Sequence, residues 1–479
     1  MNLYFIIGLP FIAALVAAVL PSERFRPLVI PVTALFHIAL VFKGVFSPEL
    51  YTADTMLGLD ALGRLVLLVI SLLFAASSLY AVGYFRTHPT WGNRTFIACL
   101  LIFLGAMSLS TAARNLGLLW VAVEATTVVS APLIYYNRNR FSIEATWKYL
   151  LLCSVGIALA MLGLLFVAYA GLKGGEEHTL QIDQMLTTAG FLSKPWLRTG
   201  FVFLLVGFGT KMGLAPLHTW KPDAYGEAPG LVGGLLAGGL TSVAFLAILR
   251  AMQIMTAAGE QALAHHFLLA LGLLSLVFAA LFVIRQRDIK RMLAYSSVEH
   301  MGILAIGLTM GKLAAYGAMF HVMNNALTKG ALFMCAGNIH RYFGSKRMCE
   351  TQGAINVLPW SASLLLIGFL AITGSPPFGP FMSEFIILRG IFAAGNFSLG
   401  FGFILLLTII FIGMSSTVIT VVLGPSMEGQ QPSDAVSETF MTVLGPLLLI
   451  IAVLVLGLYL PEPLRSLFQE AADLVVAAQ

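Results

Sequence analysis

Runs of about twenty apolar residues follow one another along the whole chain, and this spacing constrains the fold more than any motif does. A helix of roughly that length crosses a hydrocarbon layer about 30 Å thick with its backbone groups paired internally. Of 479 residues, 59% are hydrophobic and 10% charged, whereas a soluble domain carries roughly 25% charged residues. The chain therefore reads as an all-α polytopic membrane protein with about fourteen transmembrane helices. The spans start near Leu3, Leu28, Leu59, Phe96, Leu116, Thr146, Leu197, Leu231, Phe267, Met292, Ala314, Trp360, Gly400 and Phe440. The longest polar loop runs from Lys173 to Pro195, and no soluble domain fits between the spans. The N-terminal MNLYFIIGLPFIAALVAAVLP lacks a basic leader and reads as the first span rather than a cleaved signal.

The formal net charge of +5 is small and does not point to nucleic acid. Basic residues fall into two sets of loops. One set holds Arg24, Arg26, Arg86, Arg94, Arg138, Arg140, Lys221, Arg285, Arg287, Lys290, Arg291, Arg341, Lys346 and Arg347. The other holds Lys43, Arg114, Lys173, Lys194, Lys312 and Arg389, with Glu49, Asp54, Glu176 and Glu177. The more basic set is expected to face the cytoplasm. The acidic SPELYTADTMLG then forms an outer loop or a hairpin. Cys99, Cys153, Cys335 and Cys349 are widely spaced and form no CxxC pair, which argues against a metal cluster or a disulfide framework.

Several charges fall inside the apolar runs. Lys211 lies in FVFLLVGFGTKMGLAPLHTW, with Gly213 and Pro216 interrupting the helix just beyond it. A buried lysine costs roughly 2.5–3.5 kcal/mol on insertion scales. A charge and a helix break in one span are the usual sign of an ion pathway, the alternative being a lysine that snorkels from a span end. Glu124 sits mid-span in LGLLWVAVEATTVVSAPLIYY. If it lies opposite Lys211, the two charges would attract by about 4 kcal/mol at about 4 Å and an effective dielectric of about 20, which favours both charged forms. Separating such a pair would release a proton; a static ion pair is the alternative. Lys148 follows Glu144 at i,i+4, so it reads equally as a pathway residue or as a helix-face pair.

In FHVMNNALTKGALFM, His321, Asn325 and Lys329 recur every four residues and share one helical stripe. That stripe is a plausible relay, because imidazole exchanges protons near neutral pH; interhelical hydrogen bonding is the alternative. His218 and His300 are further candidates, each equally readable as structural. Glu299 is a weaker one, and His37 reads as structural. A second break, at ITGSPPFGPFMSEF, combines Pro376, Pro377 and Pro380 with Glu384. The two breaks lie five spans apart, an offset that exchanges the membrane sides and predicts inverted repeats. No flavin, quinone, nucleotide or Fe–S motif occurs.

WVAVEATTVVSAPLI, EATWKYLL, GTKMGLAPLHTWKPDA, DIKRMLAYSSVEHMG, FHVMNNALTKGALF and GSPPFGPFMSEF resemble the antiporter-like membrane subunits of complex I, Mrp-type cation/proton antiporters and group 4 NiFe-hydrogenases. The forms VEATTVVSAPLI, EATWKYLL and SSVEHMG are most similar to the F component of hydrogenase-4 and formate hydrogenlyase-type complexes. The resemblance covers nearly the whole chain. It implies fourteen helices divided as 1–95 (three helices), 96–255 (helices four to eight), 256–425 (an inverted repeat, helices nine to thirteen) and 426–479 (helix fourteen and a tail). It also implies that Lys211 pairs with Glu124, and that His321, Lys329 and Glu384 occupy the family's later stations.

Asn325 stands where many relatives have a second histidine, and Ser242 where some have a lysine, which leaves open what bridges the two halves. Only LRSLFQEAADLVVAAQ follows the last span, so the long lateral helix of the largest family member is not expected. The resemblance implies a proton-translocating subunit of a redox complex in a bacterial or archaeal cytoplasmic membrane, with no redox centre of its own. Fe–S clusters and a Ni–Fe centre are then expected in partner subunits, alongside other antiporter-like and quinone-site-like membrane subunits. A complex I or Mrp-type Na⁺/H⁺ antiporter subunit is the alternative, and a mere membrane scaffold for a hydrogenase is a third reading.

Overall fold

The protein is described by a computed structural model over residues 3–47, 54–86, 92–175, 179–425 and 438–476. Among the described residues the regular elements are all helices. The N-terminal group comprises α1 (Leu3–Val19), α2 (Val29–Phe46) and α3 (Ala61–Arg86). Then come α4 (Arg94–Ala112), α5 (Leu116–Ile134), α6 (Arg140–Gly174), the short α7 (Ile182–Thr187), α8 (Lys194–Met212), α9 (Lys221–Glu227), α10 (Gly230–Leu235) and α11 (Thr241–Ala257). The second half holds α12 (Gln261–Val283), α13 (Ile289–Gly307), α14 (Gly311–Phe343), the short α15 (Ala354–Val357), α16 (Pro359–Ile372), α17 (Gly379–Ala393) and α18 (Phe397–Leu423). Two last helices follow, α19 (Phe440–Leu458) and α20 (Glu462–Asp473).

Among the described residues, nine helices are long and apolar enough to cross a membrane. The others expected to span are short, broken or polar. α8 and α14 each carry three lysines or arginines and α13 two with Glu299, and α16 stops at Ile372 because Gly374 takes φ +69° ahead of Ser375, Pro376 and Pro377.

Helix starts follow local chemistry. Asn115 accepts from Gly117 and Leu118 N–H at the start of α5, and Asn139 with Ser142 forms a capping box on α6. α6 and α8 meet through glycines. A Cβ on Gly163 would stand 2.8 Å from the Gly200 carbonyl, and one on Gly207 would stand 2.6 Å from the Ala160 Cβ. Small residues at such a contact let two membrane helices approach closely, and this brings the end of α8 against Tyr149. α14 is central, packed by α3, α10, α13, α16, α17 and α19. The opposite face of α6 exposes Trp147, Leu151, Val155 and Leu165, as a lipid- or partner-facing helix does. Amphipathic α20 buries Phe468 against α14 and pairs Glu470 with Arg64 at 2.6 Å.

Three basic residues assigned above to loops are buried. Arg26 donates to Asn93 and the Leu20 carbonyl, and Lys290 to the Ala228 carbonyl at 3.0 Å. Lys221 is the third. Loop assignment from charge alone failed where a lysine opens a helix just after a break. The loop 173–195 is not irregular throughout: α7 lies in it, and Leu116 N–H bonds the Leu180 carbonyl at 2.9 Å. Of the expected outer hairpin, residues 48–53 lie outside the described residues. Met56 and Leu57 bridge to Arg114 and Ala113, while Asp54 closes a turn with Leu57, its N–H donating to the Leu57 carbonyl at 2.9 Å and its carboxylate accepting from Leu57 N–H at 2.7 Å.

At the junction of α11 and α12, Glu260 accepts from Arg198 at 2.8 Å, with Lys194 at 3.5 Å. The Arg198 hydrogen bond holds the Glu260 carboxyl below its ordinary value of 4.5. A carboxyl lowered on folding adds stability above its unfolded value and loses it as pH falls through the lowered one. Between about pH 5 and pH 3, the detergent-solubilised protein should therefore lose melting temperature faster than Glu260→Gln does. The difference is small, because Arg198 is exposed and screened. Parallel melting curves would refute this.

Candidate functional site

The first station is built where α8 breaks. α8 ends at Met212, and Gly213 adopts φ +78°, a left-handed conformation that glycine takes without steric cost. Leu214, Ala215 and Pro216 then carry the chain toward α9. Lys211, in the last turn, is fully buried. Its ammonium donates to Thr127 Oγ1 at 2.7 Å and to the Tyr149 hydroxyl at 2.9 Å. The Tyr149 hydroxyl donates in turn to Ser130 Oγ at 2.6 Å, since Ser130 donates to the Thr126 carbonyl. Thr127 donates to Glu124 Oε2 at 2.9 Å, and Ser154 to Oε1 at 3.3 Å.

Lys211 and Glu124 thus belong to one network, but among the described residues no direct ion pair joins them. The Thr127 hydroxyl stands between, accepting from the cation and donating to the anion. The direct pairing expected from the sequence is corrected to a hydroxyl-bridged one. Glu124 itself is only half-buried, beside exposed Val121 and Val128.

Lys148 stands apart from this network. It is exposed and pairs with Glu144 at 2.7 Å and Asp223 at 2.9 Å, and Asp223 also binds Arg291. With Lys346, which pairs with Glu227, these residues form a charged rim linking α6, α9, α13 and the segment after α14. The helix-face reading of Lys148 is the one the geometry fits.

A second buried lysine lies just beyond the break, at a position the sequence placed in a loop. Lys221 is fully buried at the start of α9, its side chain against Gly213. Its Nζ donates to Ser297 Oγ on α13 at 3.2 Å and lies 5.8 Å from the Tyr225 ring centroid. Trp220 Nε1 donates to the Thr210 carbonyl at 2.8 Å and so ties the segment after the break to the end of α8. Lys211 and Lys221 therefore flank the same break. His218 is buried but packs edge-on to Phe278 and Tyr295, with Nδ1 lacking a hydrogen bond. Its carbonyl accepts from the Lys221 backbone N–H at 2.9 Å, but its ring makes no hydrogen bond to the ammonium of Lys211 or Lys221. His37, between Ser71 and Ser108 at 3.0 Å each, is structural as expected.

The third station joins α13, α14 and α17. Lys329 donates to the Leu293 carbonyl at 3.3 Å. Glu299, buried, accepts from Ser296 at 3.1 Å and faces His300 Nε2 at 4.0 Å. His300 Nδ1 lies 3.0 Å from His321 Nε2, and His321 Nδ1 2.9 Å from Ser383 Oγ. The network assigns the protons. Ser383 donates to the Pro380 carbonyl at 2.9 Å, so it accepts from His321 Nδ1–H. His321 Nε2 then accepts from His300 Nδ1–H, and His300 Nε2 keeps a free lone pair, in keeping with its lack of a partner. The second histidine of this station is thus His300, from α13. Asn325 leaves its Oδ1 unbonded, and Ser242 donates to the Gly238 carbonyl on its own helix at 2.6 Å.

Glu384 closes the row, with Oε1 4.0 Å from His300 Nδ1. Its carboxylate rests against Gly374, where a Cβ would collide with it. Of the three prolines named for this break, Pro376 and Pro377 lie in the gap and Pro380 opens α17. Glu384 also lines a cleft of about 260 Å³ with Thr373, Gly374, Phe381 and Phe403, room enough for ordered water. Both polar atoms of buried Asn324 lack protein partners, and buried polar groups of that kind are normally met by water.

Residues 113–420 match the family model "NADH:quinone oxidoreductase/Mrp antiporter, TM". The chain belongs to this family. It is an antiporter-like membrane protein, 34% identical over 376 residues to a hydrogenase-4 component F homolog of Methylacidiphilum infernorum, covering 78% of this chain and 77% of that one. It is 31% identical over 339 residues to NADH-quinone oxidoreductase subunit N of Desulforudis audaxviator, covering 70% and 66%. In hydrogenase-4 component B of Escherichia coli, 32% identical over 371 residues, the match covers only 54% of the longer protein. The fold is that of a chain of the archaeal membrane-bound sulfane sulfur reductase (TM-score 0.86, 22% identity, 99% and 97% covered). It is equally that of a chain of Thermus thermophilus complex I (TM-score 0.83, 23% identity, 99% of both chains covered).

Proposed function

We propose that this chain is the proton-translocating, antiporter-like subunit of a multisubunit membrane redox complex of the hydrogenase-4 type. Its redox centres, Fe–S clusters and a Ni–Fe site, belong to partner subunits. The observation that carries the reading is the Lys211–Thr127–Glu124 network at a helix break, continued by Lys221, Lys329, His300, His321 and Glu384 in the same buried interior. Isolated intramembrane charges are expensive, and a row of them linked by hydroxyls and imidazoles serves proton transfer better than it serves stability. We assign residues 96–255 and 256–425 to two inverted units, with Lys211 at the break of the first and Glu384 at the break of the second.

In this reading Glu124, half-exposed on a membrane face, is covered by a neighbouring membrane subunit. A change there in the Glu124 charge reaches Lys211 through one hydroxyl. At roughly 5 Å and an effective dielectric of about 20, the two charges attract by about 3 kcal/mol. When the anion is withdrawn, the ammonium gives up its proton toward the break and Lys221. His300 Nε2, with its free lone pair, takes protons arriving from the Lys329 side. Its Nδ1 proton leaves toward Glu384 and the hydrated cleft.

Reconstitution of the whole complex in vesicles tests this. Lys211→Ala should abolish proton translocation while the complex stays assembled. Unchanged translocation would refute the reading. A Na⁺/H⁺ antiport role is the second reading, supported by the Staphylococcus aureus Na(+)/H(+) antiporter subunit A1, 28% identical over 427 residues. Transport that depends on Na⁺ would favour it.

A further inference from the structure

We propose that His300, His321 and Glu384 form a binding site for a borderline-soft divalent cation such as Zn²⁺, and that occupation of this site blocks the chain. The three side chains are buried and come from three helices, and one ligand atom from each lies within 4.8 Å of the other two. Zinc takes imidazole nitrogen at roughly 2.0–2.1 Å and carboxylate oxygen at roughly 2.0–2.2 Å, in tetrahedral geometry. Two ligands of such an ion stand about 3.3 Å apart. The His300–His321 nitrogens are 3.0 Å apart, and His300 Nδ1 is 4.0 Å from Glu384 Oε1. To seat the ion, the two imidazoles must open slightly and turn toward a common point, and the Glu384 carboxylate must swing inward by about 0.7 Å or more from its place within 4.8 Å of both rings, a side-chain movement the adjoining cleft leaves room for.

The outer groups are in place as well. Metal-bound histidines donate their other ring N–H to a carboxylate, carbonyl or similar acceptor. His321 already does so, through Nδ1 to Ser383 at 2.9 Å. His300 has its free Nε2 opposite Glu299 Oε2 at 4.0 Å. Binding moves the His300 ring proton from Nδ1, which becomes the ligand atom, to Nε2, where Glu299 accepts it. The imidazole proton is thus kept, and any proton on Glu384 is released to water. Two imidazoles, one carboxylate and an open fourth position for water make the donor set that suits zinc and excludes hard cations such as Mg²⁺. The ion enters through the cleft that Glu384 lines. Lys329, one helical stripe along α14, opposes the incoming charge, and Glu299 offsets it. Once bound, the cation holds the three lone pairs that protons would otherwise use.

Binding is measured without turnover, so the site is tested apart from the proton-translocation reading. The purified complex is titrated with Zn²⁺ for stoichiometry and with Co²⁺ for its visible absorption band. Wild type should bind one more ion per complex than His321→Ala or Glu384→Gln, with the tetrahedral Co²⁺ band lost in both variants. Ser383→Ala, which removes the partner of His321 and touches no metal, should weaken binding about 10–100-fold. X-ray absorption of the Zn²⁺-loaded wild type should add a shell of two imidazole nitrogens and one carboxylate oxygen, a result independent of how the variants fold. Equal stoichiometry in wild type and the assembled variants, or an added shell without imidazole, would overturn the site. Lys211→Ala should keep the site intact even where translocation is lost.

Discussion

Lys221→Met should reduce coupled proton translocation about a hundredfold in an assembled complex. Proton transfer by a positioned side chain contributes roughly 10²–10⁴-fold, and Lys221 is the titratable group placed between the α8 station and α13. Its neighbours at that point are the Ser297 hydroxyl, the Tyr225 ring and the Gly213 backbone. Methionine fills the same volume with a flexible apolar chain, so packing against Gly213 is kept while the carrier is lost. Lys221→Arg separates a carrier from a fixed charge. Guanidinium stays protonated in proteins, so a mere need for positive charge predicts rescue, whereas proton carriage predicts none. The measurement is acidification of proteoliposomes per electron transferred, with assembly checked by size. Full translocation in Lys221→Met would remove this residue from the path.

Lys221 also marks how far the sequence could be read. Apolar runs, Gly/Pro breaks and buried charges are properties of single segments, and from them the membrane-spanning helical fold, both breaks and the burial of Lys211, Lys329 and Glu384 were legible. Whether a lysine beside a break faces water or protein depends on what packs over it. Lys221 in LHTWKPDA has the same local look as a loop cation, and only α13 with Ser297 reveals it as buried. The one local hint was Pro222, which marks Lys221 as the first residue of a new helix rather than part of a loop.

Partners across helices were illegible for the same reason. His300 beside His321 joins residues 21 apart in sequence, on α13 and α14. It supplies a second imidazole where Asn325 offers none. Lys148, by contrast, had Glu144 at the right spacing for a surface pair, and that local pair forms at 2.7 Å.

Thr127 is the sharper test of the switch. It lies three residues after Glu124 on α5, a spacing that places both on one helical face, yet nothing in that spacing says that its hydroxyl would take the position of a direct ion pair. Thr127→Val removes the hydroxyl at nearly constant shape. Lys211 loses its 2.7 Å acceptor and Glu124 its 2.9 Å donor. Hydrogen bonds to charged groups contribute about 1.5–3 kcal/mol each, so the linked equilibrium shifts about tenfold or more for each one lost. Translocation should fall by about that factor, and Thr127→Ser, which keeps the oxygen, should recover most of it. A directly contacting Lys211–Glu124 pair would make Thr127→Val neutral, because valine would only fill space beside it. The coupling energy is read from a double-mutant cycle of Thr127→Val with Glu124→Gln. If the hydroxyl carries the Glu124 charge to Lys211, the second substitution adds little once the first is made. Strictly additive losses would mean that Glu124 acts on Lys211 by another route.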